Sequence, residues 1–244
     1  MGPIEHRQSP IEHREVRLHR VRWDAARASG RRAFLSDEER ARLDGYGVEK
    51  RRREFLLGRV AARQLLSDVL GAAPAEVPLA VAEDGAVEVD GDGAWRVSIS
   101  HTGEEAVAAV AERAVGVDLE RIRERPERLH RFLLSEEERP LLERLPMPEA
   151  DAFTLCWALK EAVLKAQRCG LRRSPKTVRI AALDAEAGTA RLDARERGRT
   201  FAASFERDDA QDDAWGAGRQ SAAATGRLSG GGDGRVGADG FPVG

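Results

Sequence analysis

The chain has 244 residues, 41% of them apolar and 34% charged, with a formal net charge of −2. That length carries one large domain or two small packed halves, and so balanced a charge argues against a general nucleic-acid binder. No apolar run reaches membrane-span length, the N-terminus lacks the apolar stretch of a signal peptide, and Cys156 and Cys169 are too few for a zinc site or disulfide framework, so the expected address is the cytoplasm.

"PIEHR" occurs at 3–7 and again at 10–14, ahead of any hydrophobic pattern, and residues 1–14 read as a disordered arm. "VRLHRVRW" (16–23) has strand character. Ser36 then opens a helix, with Glu39 three residues on completing a capping box. A long helix is expected from Glu49 to Leu70, stopped by Gly71 with Pro74 beyond. "VPLAVAEDGAVEV" reads as a hairpin turning at Asp84-Gly85. "WRVSIS", "EEAVAAVAE" and "AVGVDLE" are three further strands, with a tight turn near Arg113. In the last of them Asp118 and Glu120 share one face, while Val117 and Leu119 point to the other. Like charges side by side repel, so the pair implies a positive charge facing it.

"LSDEERARL" (35–43) returns as "LSEEERPLL" (134–142), each with serine as N-cap and glutamate at the capping-box position. Phe55 lies 19 residues after Ser36 and Phe153 lies 18 after Ser135, each in a long amphipathic helix. This order predicts an α+β fold of two pseudo-symmetric halves, 15–110 and 111–206, with a ligand cleft between them. From Arg207 periodicity ends, and 207–244 read as a disordered tail.

The helix "FTLCWALKEAVLKAQRCGL" (153–171) carries the second signal. Its wheel puts Trp157, Lys160, Glu161, Leu164, Lys165 and Arg168 on one side, with Leu155, Leu159, Ala162, Val163 and Ala166 opposite. Glu161 and Lys165 form a favourable i,i+4 ion pair on any helix, but that leaves Trp157 on the charged face unexplained. Only four of the 40 lysines and arginines are lysine, and two of those stand in "LKEAVLK". Asp118, Glu120 and Glu161 together suit a hard divalent cation, since Mg²⁺ prefers carboxylate oxygens and completes its shell with substrate phosphates. Lys160, Lys165 and His101 would complement the remaining phosphate charge.

"GVDLE" followed downstream by "WALKEAVLKA" resembles the signature of the 4′-phosphopantetheinyl transferases. "SISHTGE" (98–104) is similar to the segment before the acidic strand in that family, and "RRREFLLGRVAARQLL" (51–66) to its first-half helix. The resemblance covers roughly residues 16–205 and suits the long, two-halved type that serves polyketide and peptide synthetases. It implies a monomer that binds coenzyme A between its halves and moves phosphopantetheine to a serine of an apo acyl or peptidyl carrier protein, releasing 3′,5′-ADP. It also implies that Asp118, Glu120 and Glu161 hold Mg²⁺, that Glu161 takes the serine proton and that Lys165 stabilises the transferring phosphoryl group. Lys160 would neighbour the pyrophosphate, Ser100 and His101 would contact phosphate, and Arg53, Arg59 and Arg63 match positions of contacts to the 3′-phosphate. Neither a nucleic acid nor a membrane is an expected partner.

Two departures stand out. Where the family carries Gly-Lys-Pro near the adenine, this chain reads "AEDGAVEVDGDGAW", and where it tends to have glycine at the helix end, this chain has Arg168. The first of them, the segment at 83–94, supports one alternative, a catalytically inactive protein that binds coenzyme A or a nucleotide and regulates a synthase. A purely structural reading, with the acids as a solvated hairpin edge, predicts no Mg²⁺-dependent ligand binding.

Overall fold

The computed structural model describes residues 16–91, 93–194, 198–208 and 219–226; the arm expected at 1–14 and most of the expected tail lie outside these. In chain order the elements are β1 (Arg17–Arg22), α1 (Ala28–Arg31), α2 (Asp37–Asp44), α3 (Glu49–Leu70), β2 (Leu79–Val81), β3 (Val87–Val89), β4 (Arg96–Thr102), β5 (Glu105–Ala111) and β6 (Val115–Arg121). There follow α4 (Glu127–Leu133), α5 (Arg139–Glu143), α6 (Glu149–Ala166), β7 (Val178–Asp184), β8 (Thr189–Ala194), β9 (Arg199–Asp208) and β10 (Arg219–Gly226).

Local chemistry sets the boundaries. Ser36 and Glu39 form the complete capping box of α2. Gly71, at φ 69°, ends α3 in the left-handed conformation that costs glycine least. The second serine cap is only half made. Ser135 N–H donates to Glu138, but Pro140 lies next in line and α5 starts only at Arg139.

Three strands pair as β1-β5-β4 and five as β6-β10-β9-β8-β7, all antiparallel, with β2-β3 a separate hairpin. Four layers result. The even-numbered residues Ala106, Ala108 and Val110 of β5 pack on Leu57, Ala61 and Leu65 of α3. The odd-numbered Val107, Ala109 and Ala111 pack on Val115, Val117 and Leu119 of β6. β5 is therefore apolar on both faces. The other face of the larger sheet packs on α6 through Ala222, Ala224, Leu192 and Phe201.

β10 corrects the expected tail. "RQSAAATG" has no alternation of apolar and polar side chains, yet it pairs with both β6 and β9. Its small residues are required by position: Ala222 and Ala224 face α6 while Ala223 faces the smaller sheet, all buried. Among the described residues, no helix is long and apolar enough to cross a membrane.

Candidate active site

The site forms where β4, β6 and α6 meet. β6 pairs with β10 along one edge, and along the other its backbone donors find serines on β4. Val117 N–H donates to Ser98 Oγ (3.1 Å) and Leu119 N–H to Ser100 Oγ (3.2 Å). Edge donors that would otherwise be buried unsatisfied are thereby paired. This explains the S-x-S spacing of "SIS". Val115, Val117 and Leu119 take the sheet–sheet core, leaving Gly116, Asp118 and Glu120 toward α6. Gly116 permits the approach, since a Cβ there would stand 1.8 Å from the Ala162 carbonyl oxygen.

α6 is buried over nearly all its surface from Asp151 to Ala166; Trp157, Glu161 and Lys165 are the partly open positions. They are four residues apart and make one stripe. Lys165 Nζ donates to Asp118 Oδ1 (2.6 Å), Ser100 Oγ (3.0 Å) and Val117 O (3.1 Å). Ser100 Oγ also donates to Asp118 Oδ1 at 2.9 Å. One buried hydroxyl thus accepts twice and donates once, which saturates it. Ser100 is a joint between the halves, its hydroxyl shared by Leu119, Lys165 and Asp118.

Glu161 is raised to about 7, first by burial and then by the negative charge of Asp118, with Lys165 opposing and Glu120 adding. Glu120 is raised as well, by burial and then by Asp118. Its Oε2 accepts from Arg125 Nη2 at 3.0 Å, and the Arg125 guanidinium lies over the Trp157 ring at 5.9 Å. Sequence reasoning missed Arg125, because no periodicity links a loop residue to a strand carboxylate and a helix aromatic. The charges of the three acids therefore act on one another. Asp118 Oδ2 and Glu161 Oε1 are buried with no hydrogen-bond partner. Orphaned anionic oxygens are hard donors of the kind Mg²⁺ takes. Among the described residues no three His, Cys, Asp or Glu side chains stand together as a ready-made metal cage.

Lys160 goes elsewhere. Its side chain is 0% exposed, and Nζ donates to Glu138 Oε2 (2.7 Å) and Leu133 O (2.9 Å), with no bond to the acids. Glu138 also accepts from Ser135 and Ile180 N–H. Burial would raise the carboxyl, but Lys160 and these two donors outweigh it and leave its pKa lowered. Burial likewise lowers Lys160, against the pull of Glu138. The expected pyrophosphate neighbour is thus a structural ion pair. The first half has its own counterpart: buried Arg63 donates to Glu39, with Arg59 3.2 Å from the same carboxylate. Each capping-box glutamate is caught by a cation on the long helix of its half. Lys160→Met should destabilise the fold by about 3 kcal/mol in urea unfolding, and adding Glu138→Gln, which removes the unpaired charge but keeps a carbonyl acceptor for the backbone donors, should recover part of it.

Of the expected 3′-phosphate contacts, Arg59 and Arg63 are therefore committed to Glu39 inside the core. Arg53 is more open; it bonds Glu49 (3.1 Å) and Glu104 (3.2 Å) and lies over the Trp23 ring at 4.7 Å. His101 stands 3.8 Å from Glu54. Burial lowers its pKa, Glu54 opposes and the nearby Lys165 adds to the lowering. The structure brings Ser100, Asp118, Glu161 and Lys165 together, with Glu120 and His101 alongside.

A family model described as 4′-phosphopantetheinyl transferase superfamily matches residues 114–221, and one described as 4′-phosphopantetheinyl transferase N-terminal domain matches residues 38–111. The chain is also similar to enterobactin synthase component D of Salmonella typhi, 32% identical over 161 residues. That match covers 64% of this chain and 64% of the relative, so it spans less than two thirds of the relative's length. The two family matches meet at the turn between β5 and β6.

Proposed function

Because the chain belongs to the 4′-phosphopantetheinyl transferase superfamily, we propose that it transfers 4′-phosphopantetheine from coenzyme A to a serine of an apo acyl or peptidyl carrier protein and releases 3′,5′-ADP. The observation that carries this reading is the pair of orphaned carboxylate oxygens, on Asp118 and Glu161, beside the Lys165 ammonium. Asp118, Glu120 and Glu161 would hold Mg²⁺, which when bound supplies positive charge to the pyrophosphate of coenzyme A.

The residues divide the remaining work. Glu161 is raised to about 7 in the metal-free site; beside Mg²⁺ it would be held as the carboxylate, the form that accepts the serine proton directly or through a water. The serine oxygen then bonds to the β-phosphorus as the bond from that phosphorus to the bridging oxygen breaks, and 3′,5′-ADP leaves with that oxygen. Lys165, already joined to Asp118 and Ser100, is positioned to offset charge on the transferring group. Positioning and electrostatics do most of the work in phosphoryl transfer. His101, at the end of β4 beside Lys165, is positioned as a further hydrogen-bonding contact for phosphate.

Intact mass spectrometry of apo carrier proteins incubated with the protein, coenzyme A and Mg²⁺ tests the reading. A gain of one phosphopantetheine, absent with Asp118→Ala, is expected. Coenzyme A binding without any gain on acyl and peptidyl carriers would favour the non-catalytic reading instead.

A further inference from the structure

Trp157 shares the open stripe of α6 with Glu161 and Lys165 and precedes Glu161 by one helical turn, about 6 Å along the axis. A large aromatic among charges needs a partner suited to both, and Arg125 is that partner, its guanidinium 5.9 Å from the ring centroid. Phe153 and Phe132 pack on the same ring, at 6.2 and 6.5 Å between centroids. Arg125 comes from the loop after β6 and stands directly before Pro126, the N-cap of α4. A residue before proline is confined to extended backbone. Backbone and aromatic ring together limit where the guanidinium can go.

What the guanidinium reaches is Glu120. Its Nη2 donates to Oε2 at 3.0 Å, with the Arg125 side chain 13% exposed and that of Glu120 27%, too enclosed for an exchangeable surface pair. Among the described residues no other hydrogen bond is made to the Glu120 side chain, and Oε1 is left uncommitted. Asp118, two residues back on the same face of β6, is held in the same manner. Lys165 Nζ and Ser100 Oγ tie down its Oδ1, at 2.6 and 2.9 Å, and leave Oδ2 orphaned. Each strand carboxylate thus has one oxygen fixed by a cation of the protein and one left over. Metal-binding carboxylates are themselves hydrogen-bonded in this way, and the outer partner sets their orientation.

We propose that Arg125, laid on Trp157, is the positioning residue for Glu120: it fixes Oε2 so that Oε1 joins the free oxygens of Asp118 and Glu161 as a ligand to the divalent cation. The cation rests on the transferase reading; the fixed carboxylate does not. A guanidinium also repels a cation, but its charge is shared with Glu120 and screened at the open stripe. An unfixed Glu120 would have to give up its side-chain freedom to bind metal, and orientation is the larger effect.

Four full-length proteins test it: wild type, Arg125→Gln, Arg125→Lys and Trp157→Leu, each checked for a cooperative urea transition. Mn²⁺ affinity is read by paramagnetic resonance with coenzyme A present and no carrier protein, so that the readout needs no turnover. Arg125→Gln should bind Mn²⁺ about tenfold more weakly than wild type. Arg125→Lys keeps a charged donor and should recover part of that loss. Trp157→Leu keeps apolar packing but removes the ring face, and should bind about threefold more weakly. An arginine with a merely structural role would lower the urea midpoint and leave Mn²⁺ affinity unchanged. Equal affinity for wild type and Arg125→Gln therefore overturns the proposal. Tighter binding by Arg125→Gln overturns it too, since the guanidinium would then compete with the cation. If wild type binds no Mn²⁺, the metal set and the proposal fall together. Mn²⁺ affinities in the expected order, without transfer to any carrier protein, would remove the transferase reading and leave the positioning role standing.

Discussion

Glu161→Gln should fold normally and lose phosphopantetheine transfer by about 10²- to 10⁴-fold, the range for removing a positioned general base. Glutamine keeps the shape of the side chain, which is only partly buried on the open stripe of α6. What it loses is a charge that the protein holds at a disadvantage: burial and Asp118 raise the carboxyl to about 7. The sign for stability follows from that shift. Since the folded-state pKa lies above the unfolded value of 4.5, the folded state binds the extra proton between the two. Metal-free wild type should lose stability as pH rises from about 4.5 through about 7. Glu161→Gln should lack that loss and melt higher than wild type at pH 8 in EDTA, while the two coincide toward pH 4. A variant inactive in transfer but more stable at pH 8 would tie both observations to one carboxylate. Near-wild-type transfer by Glu161→Gln would remove Glu161 from the role of base.

Gly116→Ala should be the most damaging single substitution in the fold, costing more than about 4 kcal/mol and showing as loss of soluble protein or of a cooperative urea transition. The added Cβ would lie 1.8 Å from the Ala162 carbonyl oxygen and 2.6 Å from the Ala166 nitrogen, both backbone atoms of α6. No rotamer change relieves such a contact, and β6 has no room to withdraw. Its opposite face is packed on Val107 and Ala109 of the smaller sheet. Overpacking normally costs about 1–3 kcal/mol because side chains give way; here the helix and the strand must separate. Gly58→Ala is the control. A Cβ at that position meets only the Ile99 Cγ2 at 3.0 Å, a side-chain atom that can shift. Its gain in helix propensity of about 1 kcal/mol offsets much of that strain. A fold that tolerated Gly116→Ala as well as Gly58→Ala would contradict the strand–helix packing at the site.

The acidic site was legible to the extent that it depends on local periodicity. Alternation on a strand is enough to place Asp118 and Glu120 on one face, and helical spacing is enough to align Glu161 with Lys165. Lys160 was not legible. A helical wheel fixes its angle, but α6 is enclosed on nearly every side, and the wheel does not say which neighbour waits at that angle. The neighbour is Glu138, brought in by a cap more than twenty residues upstream in the same way that Glu39 meets Arg63. The partners of Ser100 were not legible either: its hydroxyl bonds Leu119 N–H, Lys165 and Asp118, which only the packing of β4, β6 and α6 brings to it.

By itself the sequence determined the elements that carry their own signals. These are the Ser36–Glu39 cap, the Gly71 stop, the turn at Asp84-Gly85 and the directions of the acids, all set by interactions within a few residues. Tertiary structure alone decided what those elements meet. β10 exists as a strand because β6 and β9 offer it unpaired edges and because alanines fit between α6 and the smaller sheet, a requirement invisible in "SAAAT". Arg168 takes the left-handed turn that closes α6 through its own N–H to Lys165 O and Cys169 N–H to Leu164 O, but only the tertiary fold brings its guanidinium to Asp84 and Glu88. Short-range preferences are written in spacing. Burial, pairing and pKa arise only when distant segments exclude water from one another.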